Sequence, residues 1–192
     1  MVKSQHYFIA IILPQEISTQ IRNYQLVAAR SFQSFKALNS PPHITLFPPF
    51  RWHASQMSDV SKTMKEVTVK LKPFTITLSG FGNFSPRVIY ISVTPNSVLD
   101  TLYESLQEMF RTRLKLNIRK REVFHPHVTI AYKDLKRSCF REAWEFFRTE
   151  RIETEIKIDR IWLLRHDGYI WRVGKDFRFN SDPNDNAHDR LF

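Results

Sequence analysis

The sequence predicts a duplicated α/β chain, α+β overall, in which two α/β lobes pack as one unit. Three observations predict it. Helical and strand periodicities alternate along the chain, the same order of elements occurs twice, and a short segment recurs within that order. Pro42-His43-Ile44-Thr45-Leu46 and Pro126-His127-Val128-Thr129-Ile130 share three identities and two aliphatic exchanges at an offset of 84 residues. Flanking elements in matching order make the pair a duplication rather than a coincidence.

Residues 7–13 form a continuous apolar run closed by Pro14, which suits a strand buried on both faces. Ile17, Ile21, Tyr24, Ala28, Phe32 and Phe35 then recur at helical spacing. A short strand is expected over 43–47, confined by Pro41-Pro42 and Pro48-Pro49. Met57, Val60, Met64, Val67 and Leu71 mark a second helix, and Phe74, Ile76 and Leu78 alternate as in a strand. Residues 79–83 with Ser85-Pro86 read as a turn between lobes, not as a tether.

The second half repeats the order. A strand is expected over 87–93, then a helix carrying Leu99, Leu102, Leu106 and Phe110, then a short strand over 127–132. Phe140, Trp144 and Phe147 mark another helix, and 155–164 reads as one strand. A last strand over 169–173 joins through Asp167-Gly168, a two-residue hairpin signal. The expected organisation is one bilobal domain over 1–179, with repeats near 5–82 and 86–179, and a loose polar tail over 180–192.

Composition narrows the class. Of 192 residues, 42% are hydrophobic, and 16 Phe, 6 Tyr and 4 Trp supply a core that excludes disordered and collagen-like designs. The longest apolar run falls far short of the ~20 residues that span a bilayer, and no small-residue cleavage site follows it. The single cysteine, Cys139, excludes an internal disulfide framework and a cysteine-based zinc finger. A monomer of the reducing cytoplasm, with no membrane association, is expected. The formal net charge is +10, and residues 180–192 contribute −2, so residues 1–179 carry +12. That balance favours polyanions such as RNA or nucleotides. Arg111, Arg113, Lys115, Arg119, Lys120 and Arg121 fall within eleven residues that contain no acid, either a phosphate-tracking run or a solvated surface.

The repeated segment carries the chemistry. Along a strand, residues two apart share a face, so His43, Thr45 and Phe47 would point one way and Ile44 and Leu46 the other. His127, Thr129 and Ala131 would do the same in the second copy. If the lobes face each other, both His–Thr pairs open onto one cleft. Two imidazoles titrating near neutrality can then serve as general base and general acid. Two threonine hydroxyls can donate to phosphoryl oxygens as charge develops there.

The paired His43-Ile44-Thr45-Leu46 and His127-Val128-Thr129-Ile130, on strands of a duplicated chain, resemble the two-histidine (2H) phosphoesterases, the LigT-like or 2′-5′ RNA ligase-like proteins. The resemblance implies a bilobal fold, two pseudo-symmetric lobes around a central cleft, each a mainly antiparallel sheet with two helices. It implies metal-independent chemistry, with no cofactor, on 2′,3′-cyclic or 2′-5′-linked phosphodiesters of RNA ends or nucleotides, reversible as ligation. It makes His43 and His127 the acid–base pair and Thr45 and Thr129 the phosphate ligands. Relatives often place an arginine soon after the motif. Here Phe47-Pro48-Pro49-Phe50 and Ala131-Tyr132-Lys133 follow, so Lys133 or Arg51 would have to supply that charge.

Other residues offer further possibilities. Phe47, His125, Lys133 and Arg165 are candidates to line the cleft, and Phe47, Phe50 and Trp52 are the leading candidates to stack a base. Arg172 joins Arg165 as a candidate phosphate contact. His125-Pro126-His127 also permits a metal-hydrolase reading with Glu122 and Asp134 nearby, but the wider ligand set of such sites is missing, and no metal is expected. A binding module for RNA or nucleotides, with idle histidines, is the alternative from another class.

Overall fold

The computed structural model describes residues 4–116 and 123–180. Arg119, Lys120 and Arg121 of the basic run, Glu122, and the tail from residue 181 lie outside the described residues. The chain runs β1 (Ser4–Ile12), α1 (Gln15–Phe32), β2 (His43–His53), α2 (Met57–Thr68), β3 (Phe74–Phe84), β4 (Val88–Val93), α3 (Ser97–Arg113), β5 (His127–Ala131), α4 (Arg137–Phe147), β6 (Glu153–Ile158), β7 (Arg160–His166) and β8 (Trp171–Arg178). The strands form one curled, antiparallel half-barrel in the order β6-β3-β4-β5-β2-β1-β7-β8. No helix among the described residues is long and apolar enough to cross a membrane.

β1 earns its continuous apolar run by lying inside the sheet, between β2 and β7. Tyr7, Ile9 and Ile11 face the helices, while Phe8 and Ala10 pack with Leu164 on the other face. Pro14, with φ fixed near its ring value, turns the chain into α1. α3 starts at an Asn96 cap whose side chain accepts from the Leu99 N–H at 3.0 Å. Its stripe of Leu99, Leu102, Leu106 and Phe110 is fully buried, each side chain contributing about 1.5–3 kcal/mol.

Elements from the two halves of the sequence are interleaved. β3 pairs with β4 and β6, both from the second half. α1 packs on β5 and α4, and α3 packs on β2 and α2. Each half of the sheet therefore contains strands from both ends of the chain.

Several expected boundaries move. β2 continues through Pro48 and Pro49 because a bulge accommodates them, three steps from Phe47 to Phe50 facing two from Ile9 to Tyr7. β3 runs to Phe84 through a bulge at Gly80, whose φ of 65° suits a residue without Cβ. The expected strand over 155–164 is two strands. It breaks at Asp159, so β6 pairs with β3 while β7 pairs with β1 in the other half. Alternation alone does not register such a break, because Ile156, Ile158, Ile161 and Leu163 are all core residues. The Asp167-Gly168 hairpin exists, but its loop extends to Ile170, with the Asp167 carboxylate accepting from the N–H groups of Tyr169 and Ile170.

Candidate active site

The seam between the two halves of the sheet is the β2–β5 pairing, whose registered partners are Ile44 and Val128. Both point into the core and are fully buried. One residue either way along that antiparallel register, His43 stands opposite Thr129 and Thr45 opposite His127. All four side chains share the face that the helices do not cover. The duplicated motif thus meets itself across two neighbouring strands.

Each imidazole is fixed in the same way. His43 Nδ1 lies 2.7 Å from the Pro41 carbonyl, and His127 Nδ1 lies 2.7 Å from the His125 carbonyl. A carbonyl only accepts, so Nδ1 carries a proton in both rings, which leaves Nε2 of each free to exchange a proton with a bound group. The residue two before each histidine supplies this bond.

The environments of the two rings differ. His43 packs on Phe8 with ring centroids 4.9 Å apart, and Trp171 stands edge-on to Phe8 at 4.6 Å. Burial lowers the His43 pKa to about 4, and the charges of His127 and Arg22 push in the same direction, against the Pro41 carbonyl, which raises it. His43 is accordingly neutral at pH 7. Arg22, half-buried on α1, donates to the Ser40 carbonyl at 2.8 Å. His127 is framed instead by Phe84 at 5.3 Å and Tyr90 at 5.0 Å. The Tyr90 hydroxyl is hydrogen-bonded to His125 Nε2 at 2.9 Å, and burial pushes its own pKa up, which keeps the phenol protonated. Gly82 makes this possible, since a Cβ there would stand 2.5 Å from the Tyr90 ring.

Of the residues expected in the cleft, His125 stands beside His127 and three others do not join the group. Phe47 is 1% exposed and packs on Phe110 at 4.4 Å, inside the core. The cause is a register shift straight after the motif: Ala10 faces Thr45, but Ile9 faces Phe47, so one residue is skipped and the strand turns over. The second copy does the same, Tyr90 facing Thr129 and Ile89 facing Ala131, and Ala131 is likewise fully buried. Phe50 packs on Phe47 and Phe110, and the Trp52 indole donates to the Gln56 carbonyl, so neither is a stacking surface beside His43. Arg165 pairs with Tyr7 in β1, whose ring faces the helices, and Arg172 is its partner in β8, so both point away from the His43 face. Lys133 lies beyond the far end of β5 in a left-handed turn, its ammonium 5.5 Å from the Tyr132 ring centroid. Asp134 accepts from Ser34 Oγ and from the N–H groups of Phe35 and Lys36, so it ties the turn after β5 to the segment that follows α1. Arg111 and Arg113 of the basic run pair with Glu108 and Glu66.

Sequence reasoning missed Phe8, Tyr90, Ser92 and Arg22. Ser92 is the registered partner of His127, on the same face. The alternation of Ile89, Tyr90, Ile91, Ser92 and Val93 held the signal for two of them.

The model of the 2′-5′ RNA ligase superfamily matches residues 13–170. The chain belongs to this superfamily. A Geobacillus kaustophilus protein named "Putative phosphoesterase" is 30% identical over 175 residues, covering 89% of this chain and 94% of its own. A Bacillus licheniformis protein of the same name is 31% identical over 140 residues, covering 71% and 79%. Among solved structures, E. coli LigT complexed with 3′-AMP superposes with a TM-score of 0.67 at 19% identity, covering 93% of this chain and 99% of that one. A Thermus thermophilus protein gives a TM-score of 0.64 at 18% identity, covering 92% and 99%. The superfamily member described here therefore has the LigT-like fold, with its duplicated motif at the sheet seam.

Proposed function

We propose that this superfamily member is a metal-independent phosphodiesterase acting on 2′,3′-cyclic phosphate or 2′-5′-linked RNA ends or nucleotides, reversible as 2′-5′ ligation. The observation that carries the reading is the seam: two imidazoles with matching Nδ1 bonds, each diagonal to the other and each opposite a threonine. In hydrolysis, neutral His43 takes a proton from water as the water oxygen attacks phosphorus. The ester bond to one ribose oxygen breaks, and that oxygen takes a proton from His127. Thr45 and Thr129 donate to the non-bridging oxygens as their charge grows. E. coli LigT has been crystallised with 3′-AMP, with NADP⁺ and with ATP, which supports a nucleotide as ligand.

The test is turnover of nucleoside 2′,3′-cyclic phosphates with and without a chelator. His43→Ala and His127→Ala should each lower kcat by about 10²–10⁴-fold, and the chelator should change nothing. Wild-type activity in the double variant would end the reading. Binding of nucleotides without turnover would favour a binding module instead.

A further inference from the structure

The pseudo-symmetry of the site breaks one strand away from the seam. Thr129 is registered with Tyr90, and Tyr90 with Gly82. The equivalent path from Thr45 meets Ala10 and then Trp162. Large and small residues have exchanged places, so on the His43 side the aromatic ring stands one strand spacing, about 4.8 Å, farther out. Trp162 is half-buried there against the Phe8, Ala10 and Leu164 floor.

A cavity of about 220 Å³ opens beside it, lined among others by Ile12, Pro14, Lys157, Arg160 and Trp162. Ile12 is the registered partner of His43, so the cavity begins at the next strand from the base. Its volume is below the ~300–1,000 Å³ of a drug-sized pocket, which suits one ring system rather than a whole dinucleotide. Its two cations differ in availability. Arg160 is held by Asp159 at 2.7 and 2.8 Å and by Asp176 at 3.3 Å, which neutralises it. Lys157 is exposed, with no carboxylate partner among the described residues.

We propose that this cavity binds the second nucleoside of the substrate, the one whose 5′-oxygen approaches phosphorus from the His43 side, with its ring against Trp162 and its following phosphate on Lys157. The inference rests on the reading of the histidine pair as acting on ribose phosphodiesters, and it makes the natural nucleophile or leaving group a nucleoside rather than water. In the joining direction the 5′-hydroxyl gives its proton to His43 as the O5′–P bond forms. The P–O3′ bond of the cyclic phosphate breaks, and O3′ takes the proton from His127, leaving a 2′-5′ linkage.

The test compares a nucleoside 2′,3′-cyclic phosphate with a 2′-5′-linked dinucleotide, made with and without a terminal 3′-phosphate. Trp162→Ala should lower kcat/KM on the dinucleotide about tenfold more than on the cyclic phosphate, the usual worth of a lost base stack, and Trp162→Phe should restore most of it. Lys157→Gln, at an exposed position, should weaken only the dinucleotide that carries the terminal phosphate. Equal losses on both substrates for Trp162→Ala, or indifference of Lys157→Gln to the phosphate, would overturn the inference. If wild type turns over neither substrate, the reading of the histidine pair fails, and calorimetric titration decides the subsite separately. The phosphorylated dinucleotide should bind wild type more tightly than a nucleoside 2′-monophosphate, with the gap closing in both variants; equal affinities would reject the subsite.

Discussion

The Gln25 side-chain amide, on α1, donates to the main-chain carbonyl of Thr129 on β5 at 2.8 Å. Gln107 on α3 makes the counterpart bond to the Leu46 carbonyl on β2 at 3.0 Å. The first helix of each repeat thus grips the motif strand of the other. Gln25 is 2% exposed, so Gln25→Met leaves a buried carbonyl unsatisfied and should cost about 1–3 kcal/mol. The denaturant midpoint should fall at constant slope, and kcat should fall more than KM rises. An unchanged midpoint would show the bond to be dispensable.

The low His43 pKa sets the pH behaviour. Its neutral, proton-accepting form persists down to about pH 4, so the acid limb of kcat/KM should lie near 4 rather than near the ordinary ~6.5. In the unfolded chain the same imidazole protonates near ~6.5. Stability from the neutral, half-buried ring is present above that pH, is lost as pH falls toward 4, and levels off below it. His43→Gln should therefore flatten the decline in stability between those two values; a decline as steep as wild type would contradict the shift.

The threonines should act on the transition state. Thr45→Val and Thr129→Val keep a strand-compatible side chain of matching volume. Each should raise the barrier by about 1.5–3 kcal/mol, with ground-state affinity changing less. Single-turnover rates alongside product-analogue binding separate the two effects, and unchanged rates would make both residues structural.

Phe47 and Arg165 give a contrast between core and solvent. Phe47→Ala removes a buried ring packed on Phe50 and Phe110, and should destabilise by about 3–5 kcal/mol. Arg165→Gln, on the opposite face from His43, should alter neither stability nor kcat/KM measurably. Thermal melts and steady-state kinetics on the two variants check the assignment.

Much of the architecture was legible in the sequence because the core is written in periodicity. The stripes of α1 to α4 and the alternation of β3 and β4 follow directly from buried positions. The His–Thr pairs were legible through their repetition, which packing alone does not require. Strand pairing was less so, since β6 and β7 differ in partners but not in pattern. The faces of Phe47 and Ala131 were hidden by bulges, which insert a residue without changing composition. Tyr90 reaches the site, and the charge of Arg22 acts on His43, from elements outside the repeated motif, where sequence spacing carries no information about distance across the sheet.

The interleaving has a consequence for any half-length version of this chain. Cut at the turn between Phe84 and Val88, the first fragment would present β3 with no strand to pair with and α1 with no sheet strand from β5 beneath it. A single repeat of this kind buries its apolar surface only by exchanging those elements with a second copy. Two identical repeats would then form a two-fold symmetric homodimer, one His-x-Thr from each subunit meeting at the axis. On that account each copy alone would be inert as well as unstable, whereas in a single chain Ala10 and Tyr90, Trp162 and Gly82, are not bound to be the same. The two fragments of the present chain, mixed after separate expression, should complement each other, whereas either alone should remain unfolded.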